Sequence, residues 1–332
     1  MPLVSFCVST YKRGNILTET LISIQRQTFA DFEVIISDND PESSGKPFVD
    51  VLNDSRFIYS PNGKDLGMKA SFNKSLTLST GKYIVMIADD DPVYPDMLET
   101  LVKLLDDYPG YGMYMGGCDW LAKDKEAAKT NKIKIGTNSC LSDDYDYNTI
   151  RTFTTEEFLN NFYTLKIFRH FLWSTCMVKR ELLIKNGGIP DYGSPFLGDY
   201  AYMSIAATEK GCVIINKSLG CQTLHRENFG RNQNEQLPIV AVNFPKYLEE
   251  KLSYLENWPS IKKLIYHFTA HWLVDHITFL YHYKGEGATN LASLDVAQKQ
   301  VFAIDYIKPL KLKFFLKNNF RPFHDLIVSI KK

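Results

Sequence analysis

Apolar and polar positions along the first hundred residues fall into blocks that alternate between strand and helix periods. Leu3 to Ser9 (LVSFCVS) is an apolar β-rich run, and Thr10 to Asn15 after it is a polar loop. Leu17, Leu21 and Ile24 then recur at helical spacing and predict an amphipathic helix. Phe32 to Ser37 (FEVIIS) predicts a second buried strand, ending in Asp38-Asn39-Asp40-Pro41. Arg56 to Tyr59 is a short third strand, Pro61-Asn62-Gly63 a turn, and Gly67 to Leu78 a helix that contains Asn73. Tyr83 to Ala88 (YIVMIA) is the fourth strand. Strands that alternate with helices and each end in polar residues describe an α/β fold, a mainly parallel sheet with a ligand crevice at the strands' carboxyl ends.

The pattern loosens further on. Leu98 to Leu105 is helical in spacing and is closed by Tyr108-Pro109-Gly110. Residues 119–148 are polar and read as a surface loop or irregular insertion, and Phe153 to Phe158 as a helix start with acids in its first turn. His170 to Val178 predicts a strand of mixed polarity, in which Phe171 and Trp173 either stack on the apolar face of a sugar or pack in the core. Asn186 to Pro190 turns the chain into Gly193–Tyr202, and Cys212 to Ile215 is a further strand. From Gln236 onward apolar residues repeat at helical spacing, which predicts two or more helices. His267, His271 and Asp275 share a helix face there, but HExxH is absent and the neighbours are aromatic, so they read as packing histidines.

The fourth strand ends in three adjacent carboxylates, Asp89, Asp90 and Asp91, and Pro92 and Pro95 forbid its continuation. Like charges this close need a cation, an Arg or Lys partner, or full solvation. A hard divalent ion, Mg²⁺ or Mn²⁺ holding a diphosphate, satisfies them; a solvated acidic turn opening the next helix is the bland alternative. No Walker sequence and no GxGxxG occurs in this third of the chain, so the crevice is neither a P-loop nor a dinucleotide fingerprint.

Composition adds bounds. The 332 residues are 45% hydrophobic and 23% charged with zero formal net charge, so no global field draws the chain to nucleic acid. Charge is uneven, however: from Tyr306 to Lys332 seven Lys or Arg stand against one Asp, a local excess of +6. This Lys, Leu, Phe and Ile mixture is of the kind that lies on an anionic membrane surface, or else caps the domain as a solvated helix. The six cysteines form no CxxC pair, and Met1-Pro2-Leu3 leads straight into a strand, so reduced thiols in the cytosol are expected. No apolar run of about 18 residues predicts a spanning helix.

Taken in order, strand-TYKR, VIISDND, Gly67 with Asn73, and GKYIVMIADDD with Pro95 resemble the nucleotide-binding half of a family 2 glycosyltransferase with the GT-A fold. The likeness is good over residues 3–100 and looser over 170–230. It implies a Rossmann-like, mainly parallel sheet flanked by helices, with a C-terminal helical extension. Its parts would be a nucleotide-sugar half at 1–100, an acceptor half at 101–235 and a helical region with a basic tail at 236–332. It implies that Thr10 and Tyr11 line the nucleoside pocket, that Asp38 bonds the base, and that Arg13, Asn73 and Asp90 belong to the same site. Asp89 and Asp91 would be the DxD pair at the ribose or metal and the metal-diphosphate. Family members often carry an acid where Ala88 stands, which leaves the assignment within the triplet open. Asp199 matches the second acid of the family's Glu-Asp and would be the general base. His225 would be a metal ligand, and Arg226 or Arg231 a phosphate contact.

The activity so implied is metal-dependent, inverting transfer of a sugar from a UDP- or CDP-sugar to a hydroxyl of a glycan or an undecaprenyl-linked acceptor, as in O-antigen synthesis. Length and style are also similar to abequosyltransferases, which use a CDP donor. The expected location is cytoplasmic, peripheral on the inner face of the membrane. A sugar nucleotidylyltransferase would need a Gly-rich triphosphate loop after the first strand, and Tyr11 to Asn15 does not supply one. A catalytically inactive nucleotide-sugar-binding module is the other alternative.

Overall fold

The alternation of the first hundred residues becomes one side of an eight-stranded sheet in the order β3-β2-β1-β4-β7-β5-β8-β6. The computed structural model describes residues 1–130, 132–225, 233–284 and 288–320. It divides into one unit of Met1–Leu121, Lys134–Asp191 and Gly198–Thr223, and a second of Ala122–Ile133, Tyr192–Leu197 and Leu224–Lys332.

In chain order the first part runs β1 (Val4–Thr10), α1 (Gly14–Gln25), β2 (Phe32–Asp38), α2 (Lys46–Asp50), β3 (Phe57–Pro61), α3 (Met68–Leu78), β4 (Tyr83–Ala88) and α4 (Met97–Asp107). There follow β5 (Met113–Ala122), α5 (Lys125–Thr130), β6 (Ile150–Phe153), α6 (Thr155–Tyr163), β7 (Cys176–Lys179), α7 (Arg180–Lys185), α8 (Gly198–Ala206) and β8 (Cys212–Leu224). β1 lies parallel to both β2 and β4, and β3 parallel to β2. Helices cover both faces of these strands, which is why every residue of β2 and nearly every residue of β1 and β4 is buried and the runs read as continuously apolar. α4 turns Met97, Leu98, Leu101, Val102 and Leu104 inward, as its periodicity requires. β7 is antiparallel to β4 and to β5. β5 therefore points the same way as β4, and its carboxyl end reaches the same edge of the sheet.

The expected helix start at Phe153 is present as a capping box: Thr154 accepts from the Glu157 backbone N–H, and the Glu157 carboxylate accepts from the Thr154 backbone N–H. Three expectations are corrected. The segment from His170 is not a strand throughout: Trp173–Thr175 forms a turn of 3-10 helix, because the Thr175 amide and hydroxyl both donate back to Leu172 O, and β7 starts only at Cys176. The polar stretch after Asp119 is not simply a surface loop, since Asp119 itself is buried near the end of β5 and Lys125–Thr130 is helical. β8 does not stop at Ile215 but runs 13 residues to Leu224. Its polar middle is tolerated because Lys217 reaches Asp96 and Thr100, so the charge is paired rather than stranded in the sheet.

The second unit is helical: α5, then α9 (Gln236–Leu252), α10 (Trp258–His282), α11 (Leu291–Val301) and α12 (Lys311–Asn319). α9 and α10 bury Leu237, Val240, Phe244, Ile261, Ile265 and Leu273. The histidines pack: His271 stacks on His267 and bonds Lys313, and His276 lies flat on Trp272. No described helix is long and apolar enough to cross a membrane.

One glycine is irreplaceable in this frame. Gly211, just before β8, has φ +97°, and a Cβ there would sit 1.9 Å from the Phe153 carbonyl oxygen. Gly211→Ala is expected to cost about 2–4 kcal/mol in urea unfolding, whereas Gly63→Ala costs about 1–2 kcal/mol. The control also has positive φ, but a Cβ there meets nothing within 4 Å.

Candidate active site

Register places the first group of side chains. Thr10 lies opposite Asp38 and Ser9 opposite Ala88, so the ends of β1, β2 and β4 present Thr10, Asp38 and the acid triplet side by side. The Thr10 hydroxyl donates to Asp89 Oδ2 at 2.7 Å, and Arg13 Nη1 reaches Asp89 Oδ1 and Asp90 Oδ2, each at 3.1 Å. Thr20, on the buried face of α1, holds the Asp89 carbonyl oxygen at 3.0 Å. The triplet is thus tied to the loop and helix after β1.

The other residues of this half have defined posts. Asp38 is fully buried and accepts from the backbone N–H groups of Asp40 and Gly45 and from the Tyr59 hydroxyl at 2.6 Å. Those bonds shape the loop between β2 and α2. Tyr11 is 43% exposed. Asn73 Oδ1 accepts from the Ile189 backbone N–H at 2.8 Å, which fastens α3 to the Gly187-Gly188 turn.

Electrostatics set Asp91 apart. Its carboxylate accepts from the Thr223 backbone N–H, 3.3 Å from Oδ1, and is pushed well above the ordinary range by burial and then by the Asp90 charge. Asp89 is pushed up to about 6, mainly by burial and then by Asp90, with Arg13 and Thr10 pulling the other way. Burial and mutual repulsion thus push Asp89 and Asp91 toward their protonated forms despite these partners. Asp199, in the first turn of α8, is partly accessible, yet surrounding protein desolvates it enough to raise its carboxyl to about 7. Its charge is felt at Asp91, so the two lie within electrostatic reach.

Several site residues were not visible in the sequence. Tyr94, between Pro92 and Pro95, donates to Asp119 at 2.8 Å, and Asp119 also accepts from the Ser139 backbone N–H. This network fixes the end of β5 beside the triplet. Past it, Trp120 stacks on His170 with centroids 3.9 Å apart and planes 12° apart, and His170 Nε2 lies 2.5 Å from Gln222 Oε1. Phe171 and Trp173 are core residues instead: Trp173 packs on Phe72 and Tyr202, and Phe171 on Phe162 and Tyr200. His225 is buried just past the end of β8, while Arg226 and Arg231 lie outside the described residues.

Residues 5–186 match the family model described as Glycosyl transferase family 2. The chain is 31% identical over 121 residues to the GalNAc(5)-diNAcBac-PP-undecaprenol beta-1,3-glucosyltransferase of Campylobacter jejuni, covering 36% of this chain and 38% of that protein. It is 37% identical over 109 residues to the abequosyltransferase RfbV of Salmonella typhimurium, covering 31% and 33%. The matched region thus spans little more than a third of these curated relatives. Among solved structures, Staphylococcus aureus TarS 1-349 in complex with UDP aligns with a TM-score of 0.54 at 16% identity over 94% of this chain and 90% of that one. The mannosyltransferase PcManGT of Pyrobaculum calidifontis in complex with GDP-Man and Mn²⁺ aligns at 0.54 with 17% identity over 96% and 87%. The likeness shows the fold, a GT-A architecture with a mainly parallel sheet flanked by helices.

The charge accounting makes a prediction about stability. A carboxyl whose pKa is raised by folding stabilises at low pH, and that contribution is lost as pH rises through the folded value. Asp91→Asn is therefore expected to stabilise the metal-free protein at pH 8 by about 1–2 kcal/mol in urea unfolding, with the gain vanishing near pH 4. Equal loss of stability at both pH values would contradict the assignment of Asp91 as an uncompensated buried charge.

Proposed function

The chain belongs to glycosyl transferase family 2 and is a glycosyltransferase, and from that premise we propose that it moves a sugar from a nucleoside diphosphate donor to a hydroxyl of a glycan or lipid-linked oligosaccharide, with inversion. The observation that carries this reading is an acid triplet held at the end of β4 by Thr10 and Arg13, with a separate carboxylate, Asp199, within electrostatic reach of Asp91 and raised by burial to about 7.

The triplet suits a hard divalent ion: oxygen donors, buried, and repelling one another. Asp91, with Asp89 beside it, would hold Mn²⁺ or Mg²⁺; His225, the further ligand that the resemblance implies, does not complete a group of three with them. Among the described residues no group of three His, Cys, Asp or Glu side chains forms a metal cage, so the ion would share its coordination with the donor's phosphates. When bound, it supplies the Lewis acid that takes up charge on the departing diphosphate. Arg13 and Thr10 keep Asp89 and Asp90 oriented through the reaction. Thr10, Tyr11 and Asp38 form the nucleoside side of the pocket in this reading, with Asn73 bracing it from α3; Arg226, the phosphate contact that the resemblance implies, lies outside the described residues.

Asp199 removes the proton from the acceptor hydroxyl as its oxygen bonds to the anomeric carbon and the bond to the diphosphate breaks on the opposite face. One positioned acid suffices, since the leaving group needs charge stabilisation rather than a proton. Residues 1–100 would serve the donor, 101–235 the acceptor, and 236–332 support and attachment. The undecaprenol-linked glycan in the name of the Campylobacter relative supports a lipid-linked acceptor, and in this reading the donor is a UDP- or CDP-sugar. The family assignment sets the nucleotidylyltransferase aside.

Membrane attachment on the cytoplasmic face belongs to the same proposal. Leu312, Phe315 and Phe320 are more than half exposed, beside exposed Lys308 and Lys311, and residues 321–332 of the basic tail lie outside the described residues. Vesicles containing anionic lipid should retain the full chain more than a version ending at Ile304; equal retention would remove the anchor.

Turnover tests the chemistry. Asp199→Asn should lower kcat by about 10²–10⁴-fold while leaving nucleotide-dependent thermal stabilisation intact. In the wild type kcat/KM should rise with pH through about 7, the ionisation of Asp199, because only the carboxylate accepts a proton. A rate that survives Asp199→Asn, or product that retains the donor's configuration, would place the base elsewhere.

A further inference from the structure

The reaction needs an acceptor, and among the described residues the end of β5 offers an aromatic surface that the core does not consume. Phe171 and Trp173 are 4% and 7% exposed, but Trp120 and His170 are each partly open to solvent. β5 points the same way as β4, so Trp120 comes to the edge where the triplet stands. The two rings lie flat against each other at 3.9 Å, with the imidazole held by Gln222 and by its own backbone N–H to Cys140 O. A partly exposed indole backed in this way presents a flat apolar ring in a fixed orientation, the kind of surface on which the C–H face of a sugar packs.

Its neighbours along the chain tie it to both carboxylate groups. Gln222, which fixes His170, precedes Thr223, whose backbone N–H holds Asp91. Phe171, which follows His170, packs edge-on against Tyr200 at 4.7 Å, and Tyr200 follows Asp199. On the other side Asp119, adjacent to Trp120, is clamped by Tyr94 and Ser139. The Gln222 that fixes the stack is therefore one residue removed in sequence from Thr223, which holds Asp91, and His170 is followed by Phe171, which packs on the chain neighbour of Asp199.

We propose that the Trp120–His170 stack is an acceptor subsite on which an uncharged pyranose ring of the glycan lies, its C–H face against the indole and Gln222 locking the imidazole behind it. The proposal rests on the reading of Asp199 as the base, and names the part of the acceptor that the base serves. Burial holds the His170 imidazole down at about 4, so the surface is neutral at physiological pH and suits a neutral sugar rather than a phosphate or a cation. Trp120 makes no contribution to nucleotide binding in this assignment.

The test uses the full chain with UDP or CDP and Mn²⁺, and saturation-transfer NMR against methyl β-D-glucopyranoside, methyl β-D-galactopyranoside, methyl α-D-mannopyranoside and methyl N-acetyl-β-D-glucosaminide. At least one glycoside should receive saturation on its ring protons. Trp120→Ala should weaken that binding about tenfold or more, and Trp120→Phe should retain most of it. The thermal shift given by nucleotide and Mn²⁺ should be the same in both variants and the wild type. Should Trp120→Ala lose its fold, Gln222→Ala reads the same surface and should weaken the glycoside several-fold. Glycoside binding unchanged in Trp120→Ala or Gln222→Ala, or no glycoside binding to the wild type, overturns the subsite. If the nucleotide shift survives while glycoside binding does not depend on Trp120, the subsite alone falls; if the wild type shows no nucleotide shift either, the donor reading falls with it.

Discussion

Everything around this site follows from placing adjacent carboxylates at the closed end of a buried strand. Water would normally dissipate their repulsion, but here it is largely excluded from Asp89 and Asp91. The protein answers with the Arg13 guanidinium, the Thr10 hydroxyl and the Thr223 backbone N–H among others, yet both buried carboxyls still stand above their ordinary range. An arrangement of this kind is unfavourable for folding alone and is kept where a ligand completes it. Arg13 does not cancel the site, because it pairs with Asp89 and Asp90 and leaves Asp91, the most isolated of the three, on the other side. The same residues that reduce the repulsion also fix geometry, since Thr10 and Arg13 belong to β1 and the loop that would face a nucleoside.

The parallel half of the fold was legible because burial on both faces turns β1, β2 and β4 into uninterrupted apolar runs whose ends are marked by polar residues. α4 and the α6 cap were legible from local rules for the same reason: the signal lies within a few residues. The antiparallel half was not. β8 carries Asn216, Lys217, Ser218 and Gly220 in its middle, and its polarity is made acceptable only by partners such as Asp96, 121 residues away. Similarly, no local pattern distinguishes Trp120 from Trp173. One is the indole at the edge and the other fills the core, and the difference arises from a 3-10 turn that Thr175 imposes just before β7. Candidate residues on the strand ends were therefore found by eye, whereas those held by pairs 50 to 130 positions apart in sequence, Gln222 with His170 and Thr223 with Asp91, required the fold.

The second unit follows different rules. Its helices bury a regular apolar stripe, and its histidines and tryptophans stack on one another, so aromatic content that looks like chemistry in sequence serves packing there. The curated relatives align over only about a third of this chain, and the family model covers residues 5–186. The helices from α9 onward lie outside that family region.

The two carboxylate environments on this edge are raised for different reasons, and the difference assigns their roles. Asp89 and Asp91 are raised by burial together with their neighbours' charge, so a bound cation would reverse the shift and make both anionic ligands. Asp199 is raised by burial, so a cation at the triplet leaves that cause of its shift in place. A carboxylate that stays near neutrality while its neighbours are neutralised is a proton acceptor rather than a ligand. The proposed division between leaving-group stabilisation at β4 and deprotonation at α8 thus rests on which physical term raises each acid, and not on their order in the chain.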